Sequence, residues 1–343
     1  MAVDPAATLA GLAREMGQEL TDRILPYWGE TAVDGAGDGF HGYIGPDGTP
    51  RRDAPRGAIL NSRILWTFSA AYRALGEERL RRVADRAAGV VMDRFLDPDH
   101  GGVYWMTDPA GRAVDDRKHV YAQAFTVYGL AEHHRATGAA GSRDAAVDLY
   151  RLIEEHGADR EHGGYQESFD RDWRPRSDDR LSDVDLAAPK SENTHLHLLE
   201  AYTTLVRAWP DPAPRERLRA LVGLFLDRIV EDGRTRPFFG RDWTVRSRVV
   251  SFGHDIETSW LLEDAAAALA DPGLAERAAT TARRLAEVVL EEGLDPEGGV
   301  YYEVDEGGVV DREKEWWTQA EAIVGFLNAY QATGRPAFLA AAR

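Results

Sequence analysis

The chain has 343 residues, 58 acidic against 41 basic, and a formal net charge of −17. Such a field repels nucleic acid and anionic membrane surfaces. The absence of Cys excludes disulfides and thiolate metal sites.

With 43% hydrophobic residues the chain can bury a large core. No Pro/Gly/Ser-rich linker or composition break divides it, so one domain over 1–343 is expected. The opening Met-Ala-Val-Asp-Pro lacks the basic and apolar regions of a signal peptide. No stretch approaches the run of about 18 apolar residues that spans a bilayer. A soluble cytoplasmic protein, monomer or homodimer, is the expectation.

Apolar spacing predicts helices at 6–25, 58–75, 78–95, 119–137, 141–156, 190–209, 213–231, 254–270, 273–291, 315–332 and 335–343. The second carries Ile59, Leu60, Ile64, Leu65, Phe68, Tyr72 and Leu75 at amphipathic spacing. The sixth is apolar on more than one stripe, through Leu196, Leu198, Leu199, Tyr202 and Leu205, as suits a helix covered on several sides. Between helices a turn recurs: Asp97-Pro98-Asp99-His100-Gly101-Gly102-Val103-Tyr104, Asp159-Arg160-Glu161-His162-Gly163-Gly164-Tyr165 and Asp295-Pro296-Glu297-Gly298-Gly299-Val300-Tyr301. Looser copies fall at 38–43 and 238–243. Gly supplies positive φ, and the aromatic that follows is expected to start a short strand. A repeated helix, hairpin, helix unit predicts an all-α fold, an (α/α)6 barrel whose inner helices line a cavity. Eleven helices leave the sixth inner helix lacking, and the chain ends inside a helix at Phe338–Arg343, so it is expected to be C-terminally incomplete.

The even-numbered helices open on polar or aromatic residues, at Asn61-Ser62-Arg63, Lys118-His119-Val120-Tyr121, Glu192-Asn193-Thr194-His195-Leu196-His197, His254-Asp255-Ile256-Glu257 and Trp316-Trp317-Thr318-Gln319-Ala320-Glu321. These openings are expected to converge on one cavity. His254 has Glu257 three residues on and on its helix face. A carboxylate near an imidazole orients it for acid/base work; the plainer alternative is a cap with its capping-box acid. His195 and His197 point to different helix faces. The i, i+4 pair of His-Glu-x-x-His is absent, so no metal and no cofactor are expected. His197 shares a face with Asn193 and is the one expected to face the cavity. Arg63 lies in an apolar turn and is expected buried, either paired with a carboxylate or stabilising charge on a substrate oxygen. Of Trp316 and Trp317, about 100° apart, one can face the cavity, and Glu321 lies four residues from Trp317. His41, His100, His133, His134, His156 and His162 read as solvated or structural, and the acidic stretch 177–185 as a solvated loop.

These blocks together resemble the N-acylglucosamine 2-epimerase family, and within it the cellobiose 2-epimerase branch. The likeness runs through Asn61–Ser69, Tyr121–Phe125, Lys190–Tyr202, Ser251–Glu257 and Trp316–Ala322. It implies an (α/α)6 barrel, with His254 a catalytic acid/base and Arg63 at the reacting end of the sugar. Tyr121, Asn193, His197, Glu257 and the Trp pair would line the site. The implied reaction inverts C2 of the reducing-end glucose or mannose unit of a disaccharide or hexose. The ring opens, the C2 proton leaves, a cis-enediolate forms and a proton returns on the other face. His254 would serve one face and Arg63 the oxyanion, with Glu257 and His197 orienting and assisting. The resemblance also implies a second acid/base His on a twelfth helix, and no His follows His254. Weak or absent turnover is therefore expected of these 343 residues. The rival readings are an aldose–ketose (mannose) isomerase, a glycoside hydrolase using Glu257 and Glu321, and a non-catalytic sugar-binding protein.

Overall fold

The computed structural model describes residues 5–35, 37, 39–176, 178, 180, 181 and 186–343. Asp38 of the first looser turn, and most of the 177–185 stretch, lie outside the described residues. The described residues form eleven α-helices: α1 Pro5–Glu19, α2 Ala58–Leu75, α3 Glu78–Val90, α4 Val120–Thr137, α5 Ala140–Leu152, α6 Glu192–Ala208, α7 Pro212–Leu224, α8 Phe252–Leu269, α9 Pro272–Val288, α10 Trp316–Thr333 and α11 Pro336–Ala341.

The helix ends follow local chemistry. The last turns of α2, α4 and α10 stop at Gly76, Gly138 and Gly334, whose φ of 71°, 75° and 68° closes the helix in the left-handed region. Ser251 accepts from the amide of His254 at the start of α8, and Asp271 caps α9 ahead of Pro272. The expected helices at 6–25, 78–95, 141–156, 213–231 and 273–291 do not stay α-helical to their ends. Each finishes in a π-helical turn, at Leu20–Ile24, Val91–Phe95, Ile153–Gly157, Phe225–Ile229 and Val289–Gly293. Apolar periodicity continues through a widened turn, so sequence spacing does not distinguish the two.

The repeated turns have the geometry their glycines imply. Gly101 and Gly102 lie at φ 67° and 73°, Gly163 and Gly164 at 76° and 73°, Gly298 and Gly299 at 97° and 86°. The residues after them bridge back to the chain just past the π turn, as Leu96 to Val103, Ala158 to Tyr165 and Leu294 to Val300.

The chain contacts form two compact units. One comprises Arg14–Ala187 and Thr204–Pro214; in it α2 packs on α3 and α4, and α4 on α5. Here α3 buries a single stripe (Leu80, Ala84, Ala87, Ala88), whereas α4 is buried on most sides. The other comprises Met1–Ala13, Ala188–Thr203 and Arg215–Arg343. In it α8 packs on α9 and α10, and α10 on α11. Phe252, Ile256, Val289, Val300, Ala322, Phe326 and Phe338 form its apolar centre. No helix among the described residues is long and apolar enough to cross a membrane.

Candidate active site

The second unit concentrates titratable groups at the openings of α6 and α8. Both openings are built alike. A two-residue strand leads in, Lys190–Ser191 pairing with Phe238–Phe239 and Val250–Ser251 with Glu303–Val304. A serine hydroxyl then accepts an amide of the first turn, Ser191 from Thr194 at 3.1 Å and Ser251 from His254 at 3.3 Å. The strand holds the serine, and the serine fixes where the first-turn side chains emerge.

His254 emerges from α8 with its side chain 20% exposed, and its Nδ1 lies 3.3 Å from Oε2 of Glu192. Its ring tilts over Trp317 with centroids 5.0 Å apart. Trp317 comes this close because position 253 is glycine: a Cβ there would stand 2.6 Å from two ring carbons. Burial, and then repulsion from His197, lower the His254 pKa to about 3. The imidazole is therefore neutral near pH 7, able to give or take one proton. Glu192 is fully buried; its other oxygen accepts from Thr258 Oγ1 at 3.3 Å. Burial and the neighbouring Asp255 raise its pKa to about 8. Asp255 is itself buried, accepts from the amide and hydroxyl of Thr235 at 2.7 and 2.8 Å, and is raised to about 6 by burial.

The other candidates of this unit separate by environment. His195 is sealed in packing: its Nδ1–H donates to Ser191 O at 2.6 Å, its ring meets Trp243, and burial lowers its pKa to about 4. His197, 5% exposed, stands 3.0 Å from the Glu200 carboxylate through Nδ1. Asn193 keeps a buried Oδ1 without a hydrogen-bond partner among the described residues. Glu257 is 6% exposed. Glu321 accepts from Trp260 Nε1 at 3.0 Å. Of the tryptophan pair, Trp317 meets His254, while Trp316 is 75% exposed.

In the first unit the structure corrects one expectation. Arg63 is not buried: it is exposed, with its guanidinium 4.2 Å over the Phe125 ring. One turn of α4 places Phe125 beneath Tyr121, at 4.9 Å edge-on. Tyr121 meets His119 at 6.5 Å, His119 meets Trp105 at 5.3 Å, and Arg117 lies 4.5 Å over Trp105. His119 also caps α4, its Nδ1 accepting the Tyr121 amide. The result is a row of rings meeting edge-on or tilted, with a cation over the ring at each end and with His119 and Phe125 buried.

Sequence spacing missed Glu192, although it stands in the α6 opening, because its partner lies 62 positions away. The signal was a carboxylate at the first position of a helix whose later turns are largely apolar. It also missed a Ser–His–Asp chain: His133 contacts Ser142 Oγ at 2.8 Å and Asp85 at 3.0 Å. Ser142 is 1% exposed, so this chain straps helices together and offers no nucleophile. Among the described residues no group of three or more His, Cys, Asp or Glu side chains is placed to hold a metal ion.

A neutral imidazole with a carboxyl partner and an indole over it is a group able to give or take a proton. The chain belongs to the N-acylglucosamine 2-epimerase family, whose model matches residues 39–343. It is 44% identical over 326 residues to the cellobiose 2-epimerase of Bacteroides fragilis, covering 94% of this chain and 83% of that one. With the cellobiose 2-epimerase of Dictyoglomus turgidum it shares 38% identity over 96% of this chain and 84% of that one. The solved cellobiose 2-epimerase from Bacillus thermoamylovorans B4167 superimposes with a TM-score of 0.93 at 37% identity, over 97% of this chain and 85% of that one. The fold class is thus the (α/α)6 one expected from the repeated helix pairs.

Proposed function

We propose that the chain is a sugar epimerase that inverts C2 of the reducing-end glucose or mannose unit, by ring opening and a cis-enediolate. The observation that carries this reading is His254: a neutral, reachable imidazole held between a carboxyl group and Trp317 in a chain 44% identical to a cellobiose 2-epimerase. Abstracting the C2 proton sends its bonding electrons toward the C1 aldehyde oxygen; returning a proton to the opposite face gives the epimer. His254 serves one face. His197 assists, and Glu257 helps orient. Arg63 stabilises charge on the sugar oxygen. Tyr121, Asn193, Trp317 and Glu321 bind the sugar, and Trp316, of the same pair, contributes from its exposed position.

Inversion needs a proton-transfer group on each face, but exchange of the C2 hydrogen with solvent needs only one. Exchange is expected to be measurable. Incubation with cellobiose, mannose or glucose in deuterated water, followed by NMR, should place deuterium at C2 of the recovered sugar. His254→Asn should lower that rate roughly 10²–10⁴-fold. No deuterium at C2 with any of the three sugars defeats the reading. Fructose or a fructosyl product in place of mannosyl product makes the protein an aldose–ketose isomerase. Robust inversion by the 343 residues would show that the second face is already served.

A further inference from the structure

We infer that Glu192 is the proton partner of His254: a buried carboxylic acid whose Oε2–H bonds Nδ1 and thereby fixes which ring nitrogen faces the sugar as a donor. The geometry on the Glu192 side is specific. The residue is fully buried, Thr258 holds Oε1, and Oε2 lies 3.3 Å from Nδ1 and is buried with no hydrogen-bond partner among the described residues. An ionised carboxylate oxygen left so is costly, because burial without partners disfavours the charged form. A protonated one has an acceptor in reach, the Nδ1 lone pair.

Other titratable groups are carried by the elements packed around this pair. Asp255 and Glu257 lie on α8, His197 on α6, Glu303 on the strand paired with Ser251, and Glu321 on α10. Asp255 adds negative charge and pushes Glu192 further toward its acid form. Arg234 and Arg236 act on Asp255.

The pair then holds one exchangeable proton. In its resting form Glu192 is neutral, Nδ1 accepts and Nε2 carries hydrogen. When Nε2–H breaks, its proton forms the C–H bond at C2 of the enediolate. The Oε2–H proton passes to Nδ1, leaving a carboxylate facing Nδ1–H. The pair gains the negative charge that the enediolate loses, so charge balances, and the reverse steps make Nε2 a base. This role in catalysis rests on the epimerase reading; the pairing itself does not. Glu192 is a positioning residue acting through His254.

The test reads the ring first. In protein labelled with ¹⁵N and ¹³C at histidine, His254 is assigned by its loss in His254→Asn. The expected wild-type signature is an Nε2–H imidazole at pH 6–7, converting to the Nδ1–H form with a midpoint near the Glu192 value of about 8. Glu192→Gln should abolish that conversion. Glu192→Asp, a methylene shorter and still ionisable, should move it. The same histidine spectrum in wild type and Glu192→Gln overturns the proposal, and so does a wild-type ring that becomes imidazolium near pH 6.5. Because the wild-type titration alone can refute it, loss of folding in one variant does not rescue it. C2 exchange separates the two readings. A coupled titration without exchange on any sugar retains the pair and defeats the epimerase. Exchange with an uncoupled ring retains the epimerase and defeats the pair. With both intact, Glu192→Gln should lower kcat for exchange at least 10-fold at unchanged KM and erase the loss of activity above pH 8.

Discussion

At the scale of single residues, environment separates groups that look alike in sequence. His195 and His254 both lie in the first turn of a helix behind a capping serine, and both are held neutral by burial. His195 spends its Nδ1–H on a backbone carbonyl and is 0% exposed, whereas the His254 side chain keeps 20% exposure and meets a carboxyl group. The indole that covers His254 depends on the absence of one carbon atom. A Cβ at Gly253 would stand 2.6 Å from Trp317 and 2.9 Å from Thr318 Oγ1. Gly253→Ala should therefore tilt Trp317 off the imidazole, at a cost of about 1–3 kcal/mol for overpacking. The expected outcome is a changed near-UV circular dichroism band with at least a 10-fold loss of C2 exchange. A folded alanine variant with wild-type spectrum and rate would show that the ring contact is dispensable.

At the scale of elements, the three lysines of the chain, Lys118, Lys190 and Lys314, explain how a helix opening is fastened to a hairpin turn. Each stands just before its helix and reaches to a turn, earlier in the chain for Lys118 and Lys314 and later for Lys190. Lys118 Nζ binds Asp97 at 2.9 Å, Lys190 Nζ donates to Arg241 O at 2.5 Å, and Lys314 Nζ donates to Gly298 O at 2.7 Å. Five residues later, Gln123 and Gln319 each clasp both backbone groups of Val103 and Val300. The third copy has His195 at that place. The burial of the clasps differs: Lys118 and Asp97 are both 0% exposed, Lys314 is 39% exposed. Lys118→Met should cost about 3–5 kcal/mol by stranding a buried carboxylate, moderated by Arg171, which holds the same Asp97 at 2.8 Å. Lys314→Met should cost about 1 kcal/mol or less. Thermal unfolding of the two variants checks the order, and equal losses would refute it. Much of this level was legible beforehand. Helix α2 has the predicted limits, and the Gly-Gly turns have the positive φ that their residues demand. The rest was not, for stated reasons. A π turn keeps the apolar stripe of an α-helix. Arg63 looked buried because its neighbours are apolar, yet a helix face turns about 100° per residue. Glu192 could not be matched to His254 because sequence carries no sign of which distant turn lies opposite.

At the scale of the whole molecule, buried titratable groups of opposite type set a narrow range of stability. His195 and His254 are lowered to about 4 and about 3 by burial, and His133 is lowered as well. Below about pH 6.5 the unfolded chain takes up these protons and the folded one does not, so their contribution is lost as pH falls. Asp97, depressed by Arg171 and Lys118 despite its burial, loses its contribution at still lower pH. Glu192 and Asp255 act the other way. Raised to about 8 and about 6 by burial, they are protonated in the folded chain where the unfolded chain has released its protons. Stability therefore falls as pH rises from about 4 to those values. Between about pH 4 and 6 His195 and His254 oppose the two acids, and the lowered His133 adds to the histidine side. Between about 6.5 and 8 Glu192 alone tilts the balance downward, by about 1–2 kcal/mol. The net charge of −17 does not reproduce this slope, because the exposed carboxylates are already ionised throughout that interval. A melting temperature measured across pH should peak between about 6 and 7 and drop by a few degrees toward 8. Glu192→Gln should flatten that alkaline limb while leaving the acid limb in place. A wild-type melting temperature that still climbs from pH 7 to 8 would mean that Glu192 is ionised in the folded chain, and that the imidazole at 254 faces a carboxylate at rest.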